Sequence, residues 1–315
     1  KEALPLVVDL DGTLIKTDLL FETAVLLIKR NIFYVFSIFF WLLIYGRAYL
    51  KLQIASRVSL DENILPYDQK LLDFLKNQKN KRQIVLMTGS TISLADLIAS
   101  KLKIFARVYA STDVNLTGKK KAKLLNELYG AGRYDYIGNS TDDILPWKGS
   151  RKKMMNNVST RLVYALNKNG VKPDKIFSKK KNEALELINS IRPYQWSKNI
   201  LLFVPFLVGP EQLTFDHLKF ILLAFVSFSL LASTIYLAND LLDIENDRNH
   251  PVKTNRPIAR GSLSIKTALV AIPLFFLLSI SVTAFLPVEF LFVMLLYFLI
   301  TLAYSFNLKA KAMID

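Results

Sequence analysis

The sequence predicts two classes of fold in one chain: an α/β unit built on a parallel sheet over residues 1–178, and an all-α bundle of transmembrane helices over residues 199–315. Three observations predict this. Short apolar strands in the first half alternate with helical stretches and end in polar residues, the pattern of a parallel sheet covered by helices. The second half holds four apolar runs, about 199–214, 218–238, 267–286 and 288–306, near the ~20 residues that a membrane crossing needs. Between them, residues 179–198 read as a basic juxtamembrane linker.

Composition narrows the chemistry. The hydrophobic fraction is 52% and the net charge +15, which suits membrane lipid and anionic, phosphorylated partners. There is no cysteine, so disulfides and thiolate metal sites are excluded. Only His217 and His250 are present, too few for a histidine-built zinc site.

The first strand, Leu4–Leu10, runs into Asp9-Leu10-Asp11-Gly12-Thr13. Residues two apart share one side of the pleat, so Asp9 and Asp11 point the same way. A second strand, Ile84–Ser90, ends in Thr88-Gly89-Ser90, and a third leads from Tyr134 into Gly138-Asn139-Ser140-Thr141-Asp142-Asp143. Cations come from Asn115–Lys121, and helical stretches are expected at Tyr67–Lys79, Thr91–Leu102 and Lys121–Leu128. Ligands of such sheets bind at the carboxyl ends of the strands.

These four segments, in this order, resemble the haloacid-dehalogenase-like phosphatase superfamily. The resemblance implies a Rossmann-like sheet with a helical cap insert at about 17–66. It also implies Asp9 as nucleophile, Asp11 as general acid/base, Thr88 as phosphoryl ligand and Lys121 as the neutralising cation. Mg²⁺ would be held by Asp9, Asp11 (through its carbonyl) and Asp143. Asn139 departs from the pattern, because an acid usually stands there. Inside the cap, Ile32–Tyr45 is an apolar run of 14 residues, too short to span. A single crossing would also strand Asp9 on the opposite side from Thr88 and Asp143. The run therefore reads as a cap helix at the membrane interface or packed on protein, flanked by Lys29, Arg30, Arg47 and Lys51.

From Arg151 to Lys181 the chain carries ten Lys/Arg and one acid, Asp174. No nucleic-acid recognition pattern accompanies them, so a juxtamembrane position is the expectation. Asn182–Ile191 reads as a short amphipathic helix, and Tyr194 and Trp196 as interfacial aromatics. The connection 239–266 holds Arg248, Lys253, Arg256, Arg260 and Lys266, whereas those near 209–217 and 286–289 hold acids and no Lys or Arg outside the runs. The positive-inside rule then puts the first unit, loop 239–266 and the last residues in the cytoplasm of a multi-pass protein of the cell inner membrane.

At the end of the second run stands Asn239-Asp240-Leu241-Leu242-Asp243-Ile244-Glu245-Asn246-Asp247. On one continuous helix Asp240, Asp243 and Asp247 fall within an arc of roughly 60°. Three like charges on one stripe repel, and a divalent cation offsets that. Arg248, His250, Lys253 and Arg256 follow directly, so acids for a metal lie beside cations for a diphosphate. This half resembles the UbiA superfamily of membrane prenyltransferases, through NDxxDxxxD and the Tyr304–Lys309 segment. Together with RPxQWxKN at Arg192–Asn199 it is similar to the branch of decaprenyl-phosphate phosphoribosyltransferase-like members. The resemblance implies Asp240, Asp243 and Asp247 as Mg²⁺-diphosphate ligands, Asn239 as their orienter, and Arg248, Lys253 and Arg256 as phosphate contacts. It also implies about nine helices, so the bundle is expected to be incomplete here, with Asp315 where a second acidic motif begins and no transferase activity from this segment alone. The expected partners are a polyprenyl phosphate or diphosphate lipid, and a phosphorylated sugar or an aromatic acceptor; nucleic acid is not expected. Three functions fit: phosphoribosyl transfer to a polyprenyl phosphate, allylic prenyl transfer to an aromatic acceptor, or a non-catalytic module that binds phosphorylated lipid.

Overall fold

The computed structural model describes residues 3–112, 114–168, 170–204, 208 and 214–303. The chain separates into two compact units, Lys1–Lys181 and Asn182–Asp315.

The first unit is a six-stranded sheet in the order β3-β2-β1-β4-β5-β6, parallel throughout. Its strands are β1 (Leu6–Val8), β2 (Ile84–Thr91), β3 (Arg107–Ser111), β4 (Asp135–Gly138), β5 (Lys153–Met155) and β6 (Lys175–Ile176). All three residues of β1 are buried, as helices on both faces of a parallel sheet require. One face packs Leu6, Val8, Leu86 and Ile137 against the helices α3 (Gln69–Lys79) and α4 (Ile92–Leu102). The other packs Val7, Val85 and Tyr136 with Trp147 and Leu166. β1 and β4 are central, so the ends carrying Asp9 and Asn139 lie side by side. The helix α5 (Gly118–Tyr129) brings Lys121 up to them.

Two stretches fold beyond what the sequence suggested. The basic stretch after Arg151, read from its charge as juxtamembrane, is part of the sheet: it forms β5, α7 (Thr160–Lys168) and β6, with α6 (Ile144–Gly149) just before it. Its apolar residues Met155, Val158 and Leu166 complete the core, and its charges lie on the rim. The cap helix is likewise longer than its 14-residue apolar run. After α1 (Leu19–Arg30), α2 runs Tyr34–Ala55, 22 residues, long and apolar enough to cross a membrane by length and composition alone. Gly46, at φ 77° and ψ −178°, breaks it into two arms.

The second unit begins with α8 (Glu183–Ile191) and a 3₁₀ segment, Pro193–Phe203. The apolar helix α9 (Phe215–Leu242) follows, then a one-turn α10 (Ile244–Asn249), α11 (Ile265–Thr283) and α12 (Val288–Ala303). α9 and α11 are each long and apolar enough to span, and α12 is a shorter apolar helix. The run expected at 199–214 is 3₁₀ as far as Phe203; residues 205–207 and 209–213, and the Tyr304–Asp315 segment, lie outside the described residues. Ser227 on α9 bonds Ser279 and Thr283 on α11, close contacts of small hydroxyl residues between apolar helices.

Asp135, fully buried on β4, binds Arg82 and both Nε and Nη2 of Arg151 (2.9 and 2.8 Å). Burial alone would raise this carboxyl, but the two arginines outweigh it and hold it below the usual carboxylate range. A depressed carboxyl contributes stability above its unfolded value of about 4, and that contribution disappears as pH falls through the folded value. Asp135→Asn, which leaves Arg82 buried beside a neutral amide, should therefore destabilise the unit by about 3 kcal/mol at neutral pH. The gap to the unaltered protein should close in acid. Equal melting temperatures at neutral pH would refute this.

Candidate functional sites

In the first unit the carboxyl ends of β1, β2 and β4 converge. Asp9 is buried (6% exposed) at the end of β1; its Oδ1 is 2.7 Å from Lys121 Nζ and its Oδ2 accepts from Thr13 Oγ1 at 3.1 Å. Lys121 Nζ also donates to the Tyr136 hydroxyl (3.1 Å) and to Asp143 Oδ1 (3.5 Å). Tyr136 in turn donates to Asp143 Oδ1 at 2.6 Å, while the amides of Asn139 and Ser140 donate to Asp143 Oδ2 at 2.9 and 3.0 Å. Burial, opposed by Lys121 and reinforced by Asp143, pushes Asp9 up to about 7. Burial would lower the Lys121 ammonium, but Asp9 and Asp143 together raise it.

Asp11 sits across the turn. Its Oδ2 accepts from Ser90 Oγ (2.6 Å) and Thr88 Oγ1 (3.2 Å), and its Oδ1 from the Leu19 amide (2.9 Å). It thereby ties the first turn of α1 to the end of β2, and a carboxylate at a helix N-terminus is favourably placed. Gly12 is required here: its φ is +71°, and a Cβ would lie 2.1 Å from Asn139 Nδ2.

Asp9, Asp11, Thr88, Lys121 and Asp143 are thus brought together as a set. Tyr136 and Ser90 belong with them. The sequence concealed both, because Tyr136 lies inside an apolar strand and Ser90 follows the hydroxyl that drew attention. These acids are hard oxygen donors of the kind Mg²⁺ takes. However, no three acidic or histidine side chains among the described residues form a metal-holding group. The cation between Asp9 and Asp143 is the ammonium of Lys121, so the geometry as it stands does not fit a metal there.

In the second unit the acidic stripe is not one continuous helix. α9 ends at Leu242, Asp243 caps it at φ −95° and ψ 9°, and α10 restarts at Ile244. Asp240 and Asp247 are both buried, and Arg256 joins them: its Nη1 lies 3.1 Å from Asp240 Oδ1 and 2.7 Å from Asp247 Oδ2. Arg192 Nη2 reaches the same Asp240 Oδ1 at 2.5 Å, with its guanidinium 5.1 Å from the Tyr236 ring centre. Asp240 Oδ2 is buried with no hydrogen-bond partner. Buried carboxylate oxygens are rarely left so, and a cation is what this atom accepts. Here too the acids form no three-carboxylate group among the described residues, but the unpartnered oxygen gives Asp240 the fit to Mg²⁺ that the first site lacks.

The other expected residues are placed differently. Asn239 precedes Asp240 in α9. Arg248 Nε donates to the Ala259 carbonyl at 2.9 Å, so it braces the loop. Lys253 is exposed. His250 Nδ1 accepts from the amides of Val252 and Lys253 (3.1 and 3.2 Å), which shapes the turn. Arg192, whose backbone is left-handed (φ 53°), was not foreseen as an Asp240 partner. Trp196 and Asn199 staple this segment to α9, bonding Ser233 (3.1 Å) and Ser229 (2.9 Å). From α8, the buried Glu186 holds Arg260 and Ser262, and Glu183 holds Thr267. The polar loop is thus fixed from both sides.

Residues 201–314 match the UbiA prenyltransferase family. The C-terminal unit carries a UbiA domain. A protein described as uncharacterized, y4nM of Sinorhizobium fredii, is 32% identical over 99% of this chain and 60% of its own length. The decaprenyl-phosphate phosphoribosyltransferase of Mycolicibacterium smegmatis is 38% identical over 43% of this chain and 44% of its own length. The chain thus spans less than two thirds of these relatives. A phosphoserine phosphatase structure, solved as a phospho-aspartyl intermediate analogue, covers 60% of the chain at 16% identity with a TM-score of 0.38, too loose a likeness to support an inference.

Lys121→Met removes the one cation between Asp9 and Asp143. Leaving buried carboxylates uncompensated should cost about 3 kcal/mol, read by denaturant unfolding of the purified protein near neutral pH. A loss below about 1 kcal/mol would mean that the ammonium does not hold the site together.

Proposed function

We propose that this chain forms part of a Mg²⁺-dependent membrane transferase that joins a polyprenyl phosphate to phosphoribosyl diphosphate, and that its α/β unit is a phosphatase. The observation that carries the first half is the Asp240 carboxylate. One of its oxygens is held by two arginines and the other is buried without a partner. The resemblance of this half to enzymes named decaprenyl-phosphate phosphoribosyltransferase supports the choice of substrates.

Phosphoribosyl transfer needs little from the protein beyond positioning and charge. A lipid phosphate oxygen attacks the anomeric carbon, the bond from that carbon to the diphosphate oxygen breaks, and diphosphate departs with the electron pair. Asp240 and Asp247, with Asp243 beside them, would hold Mg²⁺, whose chemistry when bound would be to offset the charge of the departing diphosphate. Arg192 and Arg256 supply positive charge of their own, and both arginines suit phosphate oxygens through their planar donor forks. Trp196 and Asn199 hold the Arg192 segment on α9. Arg248 and His250 fix the loop that carries Arg256. We place this loop, the α/β unit and the chain's last residues on the cytoplasmic side of the inner membrane, on the strength of the cations in 239–266.

In the α/β unit Asp9 attacks phosphorus and becomes an aspartyl phosphate as the ester oxygen leaves with a proton from Asp11. Asp11 then takes a proton from the water that hydrolyses the intermediate. Lys121 and Thr88 balance and orient the phosphoryl oxygens. The 5-phosphate of a transferred phosphoribose is a substrate of the right kind.

The assay uses the purified full-length protein and labelled polyprenyl phosphate. Phosphoribosyl diphosphate should yield a labelled phosphoribosyl lipid only with Mg²⁺, and Asp240→Asn should lower the rate on the order of 100-fold. Product formation from an aromatic acid and a polyprenyl diphosphate instead would favour allylic prenyl transfer. Separately, Asp9→Asn should abolish release of phosphate from the phosphoribosyl lipid and leave transfer unchanged; release that survives this change would exclude Asp9 as nucleophile.

A further inference from the structure

We infer that the outer face of the first arm of α2 is a docking surface for the lipid bilayer interface, which holds the α/β unit against the membrane. The arm is two-faced. Tyr34, Ile38 and Trp41 turn inward, onto Ala24 and Leu27 of α1 and onto Leu50 and Ile54 of the second arm. Phe33, Phe36, Phe39, Phe40, Leu43 and Ile44 turn outward, each more than half exposed, with Phe36 at 73%. So large an unbroken apolar patch marks an interaction surface.

Two observations choose lipid as the occupant. The first is charge. From Thr23 to Leu60 the chain has five cations, Lys29, Arg30, Arg47, Lys51 and Arg57, and no acid. Arg30 and Arg47 are exposed at the two ends of the arm, where lipid phosphates would flank an embedded helix. The second is connectivity. The length of α2 would allow a crossing, but both of its ends return to one folded unit. α1 before it begins at the Asp11 carboxylate, and Lys51 in its second arm donates to the Gly89 carbonyl (2.5 Å) and Asn115 Oδ1 (2.9 Å). A helix tied at both ends to one side lies in the interface and does not span.

The surface is joined to the Asp9 site. The second arm, past the Gly46 break, carries Lys51 to a narrow cleft of about 10 Å³, room for about one water, lined also by Leu20, Thr23, Ser90, Thr91 and Leu94. Ser90 bonds the Asp11 carboxylate. On the reading of the Asp9 site as a phosphatase, its substrate class is then a phosphate ester carried in the bilayer.

These 315 residues contain no cysteine; with any cysteine elsewhere in the full-length protein replaced, Phe36→Cys, Phe40→Cys and, as a control on the exposed end of α3, Lys79→Cys each accept one environment-sensitive fluorophore. The full-length protein is reconstituted in vesicles of phosphatidylcholine and phosphatidylglycerol. Spin-labelled lipid should quench the probes at 36 and 40 by about half or more and leave position 79 unquenched, with iodide doing the reverse. Iodide quenching of all three positions would overturn the inference. So would protection of 36 and 40 from both quenchers, since protein would then cover the face. This readout needs no catalysis, so an inactive Asp9 site does not disturb it. For the substrate class, the double change Phe36→Asp and Phe40→Asp should slow phosphate release from a vesicle-borne polyprenyl ester about tenfold and spare a small water-soluble ester. Equal loss on both esters would refute it.

Discussion

A buried carboxylate needs positive charge close by, and Asp240 organises the polar part of the C-terminal unit around that need. It sits at the end of an apolar helix, almost wholly removed from solvent. Arg192 reaches it from 48 residues earlier and Arg256 from 16 residues later. Each arginine must in turn be held. The 3₁₀ segment carrying Arg192 is stapled to α9 by Trp196 and Asn199, and the loop carrying Arg256 is braced by Arg248, His250 and Glu186. Removing one partner of such a pair costs more than the pair contributes, because the other charge stays buried. The network is therefore a constraint on the chain as well as a site, and the unpartnered Asp240 oxygen marks where a further cation belongs.

The α/β unit meets the same constraint with Lys121. Its ammonium lies between Asp9 and Asp143, and the strand order that puts β1 beside β4 is what makes those two acids neighbours. The two units differ in one respect that bears on metal chemistry. The ammonium fills the position between the acids in the first, whereas an acid oxygen is left over in the second.

Much of this could be read from residue order. Asp9, Asp11, Thr88, Lys121 and Asp143 were implied by the resemblance of their segments to a phosphatase superfamily, while the periodic patterns located the strand ends and the helix start on which they lie. What escaped the sequence had physical causes. Tyr136 is indistinguishable from a core residue until its hydroxyl is seen on Asp143. The basic stretch after Arg151 resembles a tail because its two strands are short and its charges sit on the rim. The acidic stripe was laid on an unbroken helix, but the break at Asp243 leaves Arg256 as the link between Asp240 and Asp247. Arg192 is 48 residues from its partner, and no local periodicity reports a contact of that range. The cap helix outran its apolar stretch because Gly46 interrupts the helical geometry without ending the run.

On the function proposed above, Asp240, with its one unsatisfied oxygen, completes a divalent-cation and diphosphate site. Its most direct test is Mn²⁺ electron paramagnetic resonance on the purified full-length protein, titrated with phosphoribosyl diphosphate. The diphosphate should draw Mn²⁺ from the free to the bound signal, and Asp240→Asn should weaken this binding by at least about tenfold while the fold survives. Equal Mn²⁺ binding in the two proteins would contradict it.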